Sequence, residues 1–60
     1  NNTLDAMRNT KGRFFGLTTK TRTLNAQFLG ETKYFVKIYD RNENRNCRFH
    51  KNSLLRVNIA

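Results

Sequence analysis

From residue 13 onward the apolar residues of this chain recur with a period of two, which points to antiparallel strands. In "RFFGLTT" (13–19) Arg13, Phe15, Leu17 and Thr19 share one face. In "RTLNAQF" (22–28) Leu24, Ala26 and Phe28 alternate with Thr23, Asn25 and Gln27. In "KYFVKIY" (33–39) Tyr34, Val36 and Ile38 alternate with Lys33, Phe35, Lys37 and Tyr39. "RNCRFH" (45–50) sets Cys47 and Phe49 against Asn46, Arg48 and His50, and "LLRVNIA" (54–60) sets Leu55, Val57 and Ile59 against Arg56 and Asn58. Successive strand side chains point to opposite faces, so each alternation marks a half-buried strand. No proline removes a ladder donor.

The connections are short. Lys20-Thr21 reads as a tight turn, "LGET" (29–32) as a glycine-containing turn and "DRNEN" (40–44) as a polar turn tolerant of left-handed backbone. "KNS" (51–53) has room for one 3₁₀ step. Before the strands, "NNTLDAMRNTKG" holds a short helix. Asn2 is its expected N-cap, Asp5 stands in the first turn, Leu4 and Met7 share a face, and Gly12 is the stop. The chain divides into an N-terminal helical segment, 1–12, and a β unit, 13–60. Five short strands in so small a unit curl into a partly closed barrel, which also removes exposed edges. The expected core is Leu24, Ala26, Phe28, Tyr34, Val36, Ile38, Phe49, Leu55 and Val57.

With 60 residues there is one domain at most. A chain of this size buries only about 60% of its unfolded surface. The single Cys47 allows no internal disulfide, and with the single His50 no Cys/His zinc set forms. A lone cysteine suits a reducing, cytoplasmic setting. No stretch is apolar for long enough to span a membrane, and no basic amphipathic helix suits a membrane surface. Twelve Lys and Arg against four Asp and Glu give a net charge of +8. Such a charge speaks to partners: nucleic acid first, an acidic protein second.

Enzyme chemistry finds no foothold. Cys47 and His50 are three apart on a strand and point to opposite faces. Asp5, Glu31, Asp40 and Glu43 are scattered, and Gly12, Gly16 and Gly30 make no phosphate loop. Asp40 reads as a cap for the turn that follows it. Neither a catalytic activity nor a cofactor is expected.

The outward side of residues 33–39 is different. Phe35 and Tyr39 alternate with Lys33 and Lys37, Arg48 and His50 face the same way from the next strand, and Phe14 can join from the first. Arg41, Arg45 and Lys51 add a basic rim. Flat rings among cations suit RNA or single-stranded DNA, since bases stack for about 1–3 kcal/mol each while cations meet phosphates. The competing expectation is cover: the apolar side of the helix, Leu4 and Met7, or a second copy of the chain packs on Phe35 and Tyr39.

On "GRFFGLTTK", "LNAQFLGETKYFVKIYD" and "KNSLLRV", residues 12–59, about four-fifths of the chain, resemble the small SH3-like barrel proteins encoded by bacteriophages. The resemblance implies the barrel, a viral origin and a place in the host cytoplasm; it implies no defined activity. It leaves open a phage effector that binds and inhibits an acidic host protein. The order of helix then five strands is also similar to the Sm-like proteins such as Hfq. Their aromatic-Lys-His run reads here Phe49-His50-Lys51 with the last two exchanged, and the glycine of their second strand is missing. That likeness is architectural. The expected fold is therefore all-β, a small five-stranded SH3-like (Sm-like) barrel with a short N-terminal helix.

Overall fold

A computed structural model describes residues 2–59. A helix, α1 (Asn2–Arg8), precedes five strands: β1 (Phe14–Thr19), β2 (Thr23–Glu31), β3 (Phe35–Asp40), β4 (Arg45–His50) and β5 (Leu54–Asn58). A 3₁₀ turn, Lys51–Ser53, joins β4 to β5. The strands make one antiparallel sheet in the order β4-β3-β2-β1-β5. The sheet does not close: β4 and β5 remain its two edges. No described helix is long and apolar enough to cross a membrane.

Local chemistry explains the turns. Thr19 donates its amide to the Arg22 carbonyl at 2.9 Å and accepts the Arg22 amide on Oγ1 at 3.2 Å, closing the expected turn at Lys20-Thr21. After α1, the Thr10 hydroxyl donates to the Met7 carbonyl at 2.8 Å. Lys11 and Gly12 then take left-handed backbone, with φ of 51° and 85°, which turns the chain into β1. Asn2 already lies within the helix, and its capping role falls outside the described residues.

One face of the sheet carries the core: Phe15, Leu17, Leu24, Ala26, Val36, Ile38 and Leu54, with Phe28, Cys47, Phe49 and Val57 half-buried beside them. Met7 from α1 is fully buried in the same cluster, and Leu4 packs against it. The helix packs on β5 and lies over the inner face. It does not cover Phe35 or Tyr39, contrary to the expectation from its apolar side. Met7 meets the apolar cluster on the inner face, whereas the outer side carries cations and polar residues.

Two expected core positions, Leu55 and Tyr34, point elsewhere, and so does Ile59. Leu55 is 54% exposed and Leu54 is buried at 7%, because the register on β1 slips between Thr18 and Thr19. Thr18 pairs with Arg56 and Thr19 with Leu54, leaving Leu55 as the extra residue of a bulge. The bulge lets Leu54 and Val57 both face inward, three residues apart. Ile59, expected inward, lies past the end of β5 and is exposed. Tyr34, 56% exposed, is not in β3. The hairpin turn sits at 32–34, not at 29–32, because Thr32 Oγ1 accepts the Phe35 amide at 3.1 Å and the Thr32 amide donates to the Phe35 carbonyl at 2.8 Å.

Gly30 is consequently a strand residue. β2 is bulged at Leu29, since Phe28 pairs with Ile38 and Gly30 with Lys37. The extra residue brings Glu31 into phase with inward-facing Val36. There Glu31 accepts from Arg8 Nε at 2.6 Å and Nη2 at 2.7 Å, and from Lys51 Nζ at 2.8 Å. Arg8 also reaches Asp5 at 3.1 Å. The network ties α1, the end of β2 and the 3₁₀ turn together. The Arg8 hydrogen bonds, then that of Lys51, lower the Glu31 pKa from the usual 4.5 to about 2.

Two outcomes are expected. Leu54→Ala should lower the urea midpoint by the equivalent of about 2–4 kcal/mol, as for a buried leucine, whereas Leu55→Ala should change it by less than about 1 kcal/mol. The reverse order would place the β5 bulge wrongly. A group with a lowered folded pKa stabilises above its unfolded value and loses that contribution as the pH falls through its folded value. Thermal stability should therefore decline as the pH drops from about 4.5 toward about 2, and Glu31→Gln should show a smaller decline across the same window.

Candidate nucleic-acid interface

The face opposite the core presents two groups of rings with cations between them. At one end Phe14 on β1 and Tyr39 on β3 meet edge to face, with ring centroids 6.4 Å apart across Gln27 of β2. The Arg41 guanidinium lies 4.7 Å from the Phe14 ring. At the other end Phe35 on β3 meets His50 on β4 at 5.3 Å, and Tyr34 stacks on His50 at 6.3 Å with planes 24° apart. Arg48 lies 4.5 Å over Phe35, and Lys33 5.3 Å over Tyr34. Each exposed cation–ring contact is worth roughly 0.5–1 kcal/mol.

Between the two groups Lys37 and Arg48 are directly paired across β3 and β4. Both are exposed. Their Cβ atoms are therefore about 5 Å apart, and like charges so placed repel. Among the described residues no carboxylate lies within ion-pair distance of either. Three of the four acidic residues serve Arg8, Lys51 and Arg22 instead. The positive charge of the outer face is left uncompensated.

The turns hold these groups in place. Asp40 is fully buried at the end of β3, and its Oδ1 accepts the amides of Asn42 at 2.9 Å and Glu43 at 3.2 Å. It caps the turn, as the sequence suggests. Asn42 Oδ1 in turn accepts the Asn25 amide at 2.8 Å, and the Arg41 amide donates to the Asn25 carbonyl at 2.9 Å. These bonds anchor the turn to β2 and so bring Arg41 over Phe14. Asn44, in left-handed backbone with φ 55°, accepts the Tyr39 hydroxyl at 3.0 Å. At the other end His50 Nδ1 accepts the Asn52 amide at 3.0 Å, which fixes the imidazole as the cap of the 3₁₀ turn.

Of the residues singled out from the sequence, Lys33, Phe35, Lys37, Tyr39, Arg41, Arg48 and His50 gather on this face. Two do not. Lys51 is drawn to Glu31 on the helix side. Arg45 pairs with Asp40 across the ladder and shares the phase of Cys47 and Phe49, so it stands at the inner mouth. Phe14 belongs to the face, and Tyr34 joins it from the turn where the sequence had placed it in the core.

A feature the pattern did not disclose lies on the inner side. Arg22 Nη2 stands 3.0 Å from Asp40 Oδ2 and 3.7 Å from Cys47 Sγ, with its guanidinium 5.4 Å from the Phe49 ring. Asp40 Oδ2 makes no hydrogen bond, so its contact with Arg22 is electrostatic. The signal was present: Asp40 follows Val36 and Ile38 in the inward phase, and Arg22 precedes Leu24 in the same phase. Elsewhere Asp5 and Glu31, far apart in sequence, meet around Arg8. No group of three or more His, Cys, Asp or Glu side chains placed to hold a metal ion occurs among the described residues.

Compared with known proteins, the chain is matched by no family model, by no curated protein and by no solved structure.

Arg22→Leu leaves a buried carboxylate without its counter-charge. It should cost about 3 kcal/mol in chemical denaturation, the low end for a broken buried pair because Arg22 is partly exposed. Adding Asp40→Asn should recover much of that loss, since asparagine keeps an acceptor for the two turn amides and removes the charge. A double variant no more stable than Arg22→Leu alone would show that the pair is not coupled.

Proposed function

We propose that the outer face of the sheet binds single-stranded nucleic acid, RNA or single-stranded DNA, and that the protein acts by binding and not by catalysis. The observation that carries this reading is the Lys37–Arg48 pair. Two cations paired across β3 and β4, flanked by partly exposed rings and with no carboxylate in ion-pair distance, offer a bound anion charge that the protein itself does not meet. A phosphate backbone supplies the anion and its bases supply planar partners for Phe14, Tyr39, Tyr34 and Phe35. A short five-stranded meander whose last strand returns to β1 after a 3₁₀ turn also supports reading the fold as an SH3-like barrel left open between β4 and β5.

Fluorescence anisotropy with labelled oligonucleotides at several salt concentrations tests the proposal. Binding should weaken with salt at a slope of about −0.7 in log affinity per phosphate contacted. Lys37→Ala should weaken binding and flatten the slope by about one contact. Phe35→Ala should weaken binding at every salt concentration by about 1–3 kcal/mol and leave the slope unchanged. Absence of binding to any single-stranded oligonucleotide at about 50 mM salt, where counterion release is most favourable, would overturn the reading. The basic face would then be assigned to an acidic protein partner.

A further inference from the structure

Resting on that reading, we infer that one strand engages both ring groups at once, drawn out of its stacked form, with a phosphate between Lys37 and Arg48. Phe35 and Tyr39 are four residues apart on β3, which puts the two platforms about 13 Å apart along the strand. A stacked nucleic-acid strand advances only about 3.4 Å per nucleotide. Neighbouring bases that remain stacked on each other cannot reach both platforms. Bases splayed from an extended backbone can, in the manner of unstacked single strands that lay bases on aromatic side chains.

The centre of the face fits the linker of such a strand. Lys37 lies midway between Phe35 and Tyr39 on the same side of β3, with Arg48 directly across. The cations Arg41 and Arg48 already lie over Phe14 and Phe35. A base arriving on either ring takes the place of a guanidinium that can turn to the adjacent phosphate. Each platform is anchored to a turn, by the Tyr39–Asn44 hydrogen bond at one end and the His50–Asn52 bond at the other. Two fixed platforms on one ligand behave as a bivalent site, in which the second contact is intramolecular.

The ligand class follows: flexible single strands, with uridine or thymidine runs preferred over adenosine runs, which stack strongly on themselves, and over duplex. The test is a length series of oligouridylate, oligothymidylate and oligoadenylate, from one to eight nucleotides, with a duplex control. Affinity for the pyrimidine strands should rise steeply up to about four nucleotides and slowly after that. The RNA and DNA series show which sugar is preferred. With an eight-nucleotide strand, Phe14→Ala and Phe35→Ala should each weaken binding about 5- to 150-fold. With a dinucleotide each should weaken it only about twofold, because the other platform remains. Should Phe35→Ala fail to melt cooperatively, Phe35→Leu replaces it. Wild-type binding in which one of these substitutions has no effect on the long strand overturns the two-platform inference alone. So does binding in which oligoadenylate and duplex equal oligouridylate. Absence of wild-type binding overturns it together with the reading beneath it.

Discussion

The burial of Met7 in the inner face of the sheet decides which side of this small molecule meets its surroundings. A five-stranded sheet of such short strands has two faces and apolar material for only one core. By lying over the inner side against β5, α1 completes that core and leaves the outer side without a helix over it. The Arg8–Glu31–Lys51 network holds the helix there, and it exists because the Leu29 bulge turns Glu31 toward the helix. Were β2 paired without the slip, Glu31 would fall opposite Phe35, in the outward phase with the cations. One extra residue in β2 thus serves both the core and the charge of the opposite surface.

The distribution of carboxylates is the second consequence. Four acidic residues face twelve cations, and three of the four are engaged on the helix or the inner side. A surface arranged for stability alone would intersperse opposite charges along the outer strands. Here Lys37 and Arg48 are paired across the outer strands, with rings on either side. That departure from local optimisation is the kind found where a protein gives up stability to bind something.

The Asp40–Arg22 pair links the two sides. Asp40 is buried on the inner side, yet the turn it caps carries Arg41 and Asn44, which arrange the Phe14–Tyr39 platform. Arg22 offsets the buried charge from the β1–β2 turn and lies over Phe49, half-covering the inner mouth beside the β4 edge. A carboxylate placed in the core for its turn-capping lone pairs would destabilise the fold without that cation.

The alternation of apolar and polar residues determined the five strands, their inward and outward phases over residues 14–28, 35–39 and 45–50, the turn at Lys20-Thr21 and the gathering of cations with Phe35, Tyr39, Arg48 and His50. Those features follow from the two-residue repeat of a strand, which any single segment displays by itself. What the alternation could not contain is where the register slips. The bulges at Leu29 and Leu55 arise from pairing with β3 and β1, and they exchanged Leu55 for Leu54 in the core. The placement of Tyr34 hung on one Thr32 hydroxyl closing the turn later than the glycine suggested. The side on which α1 docks was likewise open, since Leu4 and Met7 can cover either face. Only tertiary packing, where the inner face offers Met7 a core and the outer face offers it cations, settled that the helix does not cover the rings.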